Sequence, residues 1–185
     1  MLTPSEIARS LGGAWQLFLA RPDGLQRLDR SLGGFWRSFL VILLILPINA
    51  VSMLAASRLE ITDGTFDQLF WGGLPILFLD WISFPVLLAL AAGPLGVKRT
   101  YVDYVVARNW ASPLASALLA VPLVLQGGGI IPAGMSTLLS LVAMALVLRY
   151  HFLVLRIALG VTIPIAIALV VFDVLLSIFI VATLQ

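Results

Sequence analysis

Five long apolar stretches follow one another along most of the chain, separated by short breaks that contain polar residues, glycine or proline. At about 1.5 Å per residue, an apolar helix of roughly 20 residues crosses the hydrocarbon core of a bilayer. The pattern predicts spans over approximately residues 35–54, 70–92, 101–125, 130–147 and 157–184. The runs are continuously apolar rather than alternating, which argues against a transmembrane β-barrel. The predicted fold class is therefore all-α, a polytopic helical membrane protein with five transmembrane helices.

The N-terminal segment, residues 1–34, has a different pattern from the transmembrane domain, residues 35–185. Thr3-Pro4-Ser5-Glu6 is typical of a helix start, with a hydroxyl N-cap, a proline and an acid in the first turn. Apolar residues then recur at helical spacing, namely Ile7, Leu11, Trp15, Phe18 and Leu19, whereas Arg9, Ser10 and Gln16 fall mostly elsewhere. The segment is predicted to be an interfacial amphipathic helix. Because no signal peptide is apparent, the first span is expected to be an uncleaved anchor.

The composition supports an integral membrane protein. Hydrophobic residues make up 61% of the chain, against roughly 45–50% in a soluble domain. Cysteine is absent, which excludes disulfides and thiolate metal sites. The net charge is only +2, and its basic residues are dispersed, so a nucleic-acid partner is not expected.

The basic residues predict the orientation in the membrane. With five alternating spans, ten of the eleven Lys and Arg residues fall on one side. Only Arg58 falls on the other side, close to Glu60, Asp63 and Asp67. The positive-inside rule then places the N-terminus in the cytoplasm and the C-terminus in the periplasm. Arginine-rich, lysine-poor usage is typical of a GC-rich bacterium, so the predicted location is a bacterial inner membrane.

Asp80 and Asp173 lie well inside predicted spans, on the order of 15 and 18 Å from the outer surface at the helical rise per residue. A carboxylate at that depth is costly, and such residues often mark ion or proton pathways. If their spans touch, the two acids form a shared polar site and titrate as a pair. The alternative is that each acid is protonated, or bonded to a neighbour such as Asn49 or to another subunit, and only fixes helix packing.

A second group of polar residues lies near the predicted cytoplasmic ends of the spans. Arg108 is about a turn and a half inside its span, close enough to snorkel to the surface. His151, the only histidine, is expected at headgroup level. The residues predicted to contact a partner or lipid headgroups are Arg27, Arg30, Arg108, Asn109, Trp110, Arg149 and Arg156. The alternative is that most of these residues only anchor the helix ends in the membrane interface.

Motifs for catalysis are absent from the sequence. It has no glycine-rich phosphate loop, no His-Glu-x-x-His and no Gly-x-Ser-x-Gly. We therefore expect no enzymatic activity, no cofactor and no metal site.

The order of the spans, with Phe35-Trp36-Arg37-Ser38-Phe39 and the stretch 101–110, resembles bacterial members of the Yip-type family of five-span membrane proteins. The Asp-Leu-Tyr-Gly-Pro type motif of eukaryotic members is absent, and Ala92-Gly93-Pro94 is at best a remnant of it. The resemblance implies a non-catalytic protein that binds partners and affects membrane organisation. It transfers no site residues.

Two functions follow from these observations. The first is a scaffold, assembly factor or accessory subunit that contacts membrane lipids and other subunits or further copies of itself. The alternative is a small transporter or proton-coupled channel that uses Asp80 and Asp173.

Overall fold

The computed structural model describes residues 2–59 and 65–184, and within them the protein has seven α-helices and no strand. The helices are α1 (Pro4–Phe18), α2 (Leu32–Ser38), α3 (Ile42–Arg58), α4 (Phe66–Ala91), α5 (Tyr101–Gly127), α6 (Ala133–Val154) and α7 (Ile163–Leu184). Short 3₁₀ turns follow α1 and α2, at Pro22–Arg27 and Phe39–Val41, and a π-helical turn, Leu155–Leu159, extends α6. The predicted all-α class is confirmed.

Within the described residues, five continuous stretches are long and apolar enough to cross a membrane. They are Leu32–Arg58, Phe66–Ala91, Tyr101–Gly127, Ala133–Leu159 and Ile163–Leu184. The predicted number of spans is therefore confirmed. Glu60 and Asp63 of the predicted acidic loop lie outside the described residues, whereas Asp67 is exposed in the first turn of α4.

The fourth span is longer than predicted. The polar residues after residue 147 indicated its end, but the helix continues through them to Leu159. It can do so because both arginines in this stretch donate hydrogen bonds to backbone carbonyl groups within the protein. Arg149 donates to the Phe18 carbonyl at 3.0 Å, and Arg156 donates to the Val161 carbonyl. The fifth span consequently begins at Ile163 rather than residue 157.

Helix α5 is the centre of the bundle. It packs mainly against α3 and α6 and also contacts α1 and α2. All residues from 104 to 111 are buried, so α5 is surrounded on every side at that level. Helix α7 lies at the edge against α4 and α6, and Ala166 is its one buried residue in the described part.

The two ends of the bundle differ. The near end is defined here by Tyr101, Leu159 and Ile163, and the far end by Gly127 and Leu184. The Thr100 hydroxyl donates to the Leu159 carbonyl at 3.0 Å, which joins the near-end turns. Helix α1 also packs at the near end, against α5 and α6.

Helix α1 forms as predicted, and small residues line most of its buried face. The Thr3 hydroxyl caps it by accepting from the Glu6 N–H at 3.2 Å. Its buried residues are Ser10, Gly13, Ala14 and Leu17, whereas Trp15 is 51% exposed. A Cβ atom on Gly13 would lie 2.7 Å from the Gly24 carbonyl oxygen. Small residues therefore let the backbone of the Pro22–Arg27 turn approach α1 directly, which a stripe of large side chains would prevent.

Ion pairs connect the N-terminal segment to the spans. Arg37 of α2 pairs with Glu6 of α1 at 3.0 Å and with Asp29 at 2.5 Å. Arg30 pairs with Asp103 of α5 at 2.6 Å. The segment is thus fixed to the near end at three points of charge contact.

Asp29 gives this attachment a pH dependence. The Ser31 hydroxyl and backbone N–H, with the Arg37 guanidinium, hold the pKa of the Asp29 carboxyl below its usual value. Its stabilising contribution is therefore complete above the unfolded pKa of about 3.9 and is lost as the pH falls through the lower folded pKa. We expect Asp29→Asn to lower the melting temperature at pH 6, and by progressively less as the pH falls through the folded pKa, measured by circular dichroism in detergent. A difference between the two proteins that does not change with pH would contradict this expectation.

Candidate functional site

Four ionisable side chains from four helices converge within the bundle. Arg108 Nη2 of α5 lies 3.3 Å from Asp173 Oδ1 of α7. His151 Nδ1 of α6 lies 3.7 Å from the other Asp173 oxygen. Asp80 of α4 lines the same cavity as these three residues. We call Asp80, Arg108, His151 and Asp173 the charged cluster.

The charged cluster lies well inside the helices. Arg108 comes seven residues after Tyr101, which corresponds to a depth of about 10 Å from the near end. Asp173 comes ten residues after Ile163, which gives about 15 Å. The helical rise therefore places the cluster between the near end and the middle of the spans.

The charged cluster borders a cleft of about 380 Å³ between α3, α4, α5, α6 and α7. Three serines, Ser112, Ser116 and Ser177, add hydroxyl groups to its lining. The remaining wall is mostly apolar and includes Ile45, Leu119 and Met144. A mostly apolar cleft with a few convergent polar groups is typical of a small-molecule site.

Arg108 does not snorkel to the surface as predicted. It is only 9% exposed, and its guanidinium also donates to the Trp81 carbonyl at 3.4 Å. The guanidinium carbon lies 5.5 Å from the centre of the Phe84 ring, within cation–π range. Because Asp173, Trp81 and Phe84 all lie on other helices, they favour an inward position that the sequence of α5 alone does not reveal.

The prediction that Asn109 and Trp110 contact a partner or lipid headgroups is also wrong. Asn109 is completely buried and its amide donates to the Ser38 hydroxyl at 2.9 Å. Trp110 is 2% exposed. Arg108, Asn109 and Trp110 therefore hold helices together and are closed to a docking partner.

The sequence reasoning also missed the position of His151. It placed this residue at headgroup level because the fourth span was predicted to end at residue 147. The longer α6 carries His151 into the bundle beside Asp173. Residues 150–159 are mostly apolar. Extending the predicted span through them would have placed His151 inside the bundle.

The remaining predicted residues lie elsewhere. Asn49 is half-buried and does not line the cleft with Asp80 and Asp173. Arg27 and Arg149 are exposed near α1, and Arg156 is half-buried beside Val161. Arg30 is held by Asp103.

The charged cluster contains two carboxyl groups but only one side chain, Arg108, that is always cationic. With both aspartates ionised and His151 neutral, Arg108 balances only one of the two carboxylates. Asp80 has no salt-bridge partner among residues 2–59 and 65–184. Uncompensated charge is costly away from water. One bound proton, or one small cation, makes the cluster neutral.

The part of the chain that the structure describes contains no group of three or more His, Asp or Glu side chains that could hold a metal ion. Comparisons with protein-family models, curated proteins and solved structures found no match.

Proposed function

We propose that the protein is a small proton-coupled transporter of a bacterial inner membrane, with Asp80 and Asp173 in the proton-binding site. The observation that carries this proposal is the convergence of Asp80, Arg108, His151 and Asp173 on one cleft within the membrane-spanning helices. Intramembrane ionisable residues of this kind commonly form proton relays.

A purely structural role accounts for only part of the charged cluster. The contact between Arg108 and Asp173 alone suffices to tie α5 to α7. Asp80 and His151 add two further titratable groups to the same cleft, at the cost of desolvation. Groups that can exchange a proton next to a fixed ion pair are what proton coupling needs.

The shape of the cleft supports access from one side. Leu119 and Ile178 line it, and they lie eight and six residues from the far ends of their helices, or about 12 and 9 Å. Toward the near end, a separate void beside the cluster and the buried Tyr104 has a volume of only about 10 Å³. We propose that the near end is cytoplasmic, as the basic residues predict, and that the cleft communicates with the periplasm.

Proton flux into liposomes tests this function. With a potassium diffusion potential as the driving force and a pH-sensitive dye inside, we expect flux through the reconstituted protein. Asp80→Asn and Asp173→Asn should each reduce it at least tenfold. Asp67→Asn, an exposed residue of α4, is the matched control and should retain full flux. Full flux through both cleft variants would overturn the proposal.

The second proposal is a non-catalytic scaffold, assembly factor or accessory subunit, as the Yip-type resemblance implies. It is favoured by α7, which is buried only at Ala166 along its described length and exposes large side chains such as Phe172 and Phe179. A helix of another subunit would cover this surface. Mild-detergent purification with mass spectrometry tests it. A stoichiometric partner that is lost in Arg27→Glu supports this function, and its absence contradicts it.

A further inference from the structure

We infer that the cleft binds a small organic ammonium ion, and that this ion replaces the proton on Asp80. The inference names a substrate class for the proposed transporter and rests on that function.

The cleft is much larger than a proton or an inorganic ion requires. Its volume of about 380 Å³ corresponds to roughly a dozen water molecules at about 30 Å³ each. An organic molecule of about ten non-hydrogen atoms fits that space. The apolar side chains of Ile45, Leu119 and Met144 favour a hydrocarbon body.

The charge of the cleft selects a cation. Arg108 on α5 is paired with Asp173 on α7, which leaves the Asp80 carboxylate on α4 without a cation among the described residues. The other titratable groups near it are Tyr104 on α5 and His151 on α6, while α3 contributes only the apolar Ile45 to the lining. A monovalent ammonium group therefore brings the site to neutrality, whereas an anion would increase the imbalance.

Binding and proton release are then a balanced exchange. The protonated Asp80 carboxyl gives its proton to water, and the resulting carboxylate accepts hydrogen bonds from the ammonium group of the ligand. No other bond forms or breaks. One proton is released for each ammonium ion bound.

The test uses the full chain in nanodiscs, with protonated 2-amino-1-phenylethanol as the probe. Equilibrium dialysis against empty nanodiscs measures saturable binding, and a pH indicator measures proton release at a pH where Asp80 is protonated. We expect about one proton released per bound probe. 1-Phenylethanol, which lacks the ammonium group, should release no proton.

Three variants locate the binding. Asp80→Asn should abolish saturable binding, and Asp67→Asn should leave it unchanged. Ser116→Leu fills the cleft without changing a charge, so it should weaken probe binding at least tenfold. The inference is overturned if the wild-type protein shows no saturable binding, or if Asp80→Asn or Ser116→Leu binds like the wild type.

Proton uptake after a pH jump, measured in the same nanodiscs, separates this failure from failure of the proposed function. Uptake that Asp80→Asn reduces by one proton, without probe binding, overturns the substrate class and leaves proton coupling in place. Equal uptake by the wild-type protein and Asp80→Asn counts against the proton site itself.

Discussion

Replacing Arg108 with methionine is expected to lower the free energy of unfolding by about 3–5 kcal/mol, the usual effect of removing one partner from a buried ion pair. The guanidinium lies 3.3 Å from the Asp173 carboxylate and is 9% exposed. Without it, two carboxylates remain in the cleft with no fixed cation. Methionine keeps most of the side-chain length, so the loss reports charge and hydrogen bonding more than packing. Reversible unfolding in mixed micelles at pH 7 measures the change.

Two further variants make the Arg108 result specific. Arg99→Met removes an exposed arginine close to the near end and should change stability by less than about 0.5 kcal/mol. The double variant Arg108→Met/Asp173→Leu removes both partners and should recover most of the loss, because no uncompensated carboxylate remains at residue 173. Equal effects of Arg108→Met and Arg99→Met would show that the ion pair does not stabilise the fold.

The spans could be predicted from the sequence because their cause is local. A run of about 20 apolar residues is a transmembrane helix wherever its neighbours lie. Asp80 and Asp173 stood out for the same reason, since a carboxylate inside such a run is unfavourable whatever surrounds it. Both do line one cleft, as the hypothesis of a shared site required.

Arg108 and His151 could not be placed because their positions depend on other helices. An arginine about 10 Å inside a span can reach outward to water or inward to a carboxylate, and only the packing of α7 decides between these. The end of α6 likewise depends on carbonyl partners at Phe18 and Val161, which lie outside that helix. A polar residue in a single sequence therefore indicates the end of a span only when it has no partner inside the protein.

The glycines of the N-terminal segment also have a role that helix propensity does not reveal. Gly34 lies in the first turn of α2, where its N–H donates to the capping Ser31 hydroxyl at 3.0 Å. A Cβ atom at this position would overlap the Asp29 carbonyl oxygen and would lie 2.7 Å from the Asp29 Cγ atom. This close approach places the Asp29 carboxylate beside Arg37. Gly34 thus permits the ion pairs that hold α1 and α2 together.

Gly34→Ala should therefore destabilise the protein by about 3 kcal/mol, the upper part of the range for overpacking, because the clash involves backbone atoms that cannot rotate away. Gly33→Ala is the matched control, since its Cβ would meet only side-chain atoms, the flexible end of Arg37 at 3.2 Å and Ser31 Oγ at an ordinary 3.6 Å. Alanine is the better helix former by roughly 1 kcal/mol, so this control should be neutral or slightly stabilising. Thermal unfolding and hydrogen exchange across residues 4–38 measure both variants. The same small effect in both would mean that the close approach between α2 and Asp29 does not constrain the fold, and that the ion pairs of Arg37 form without it.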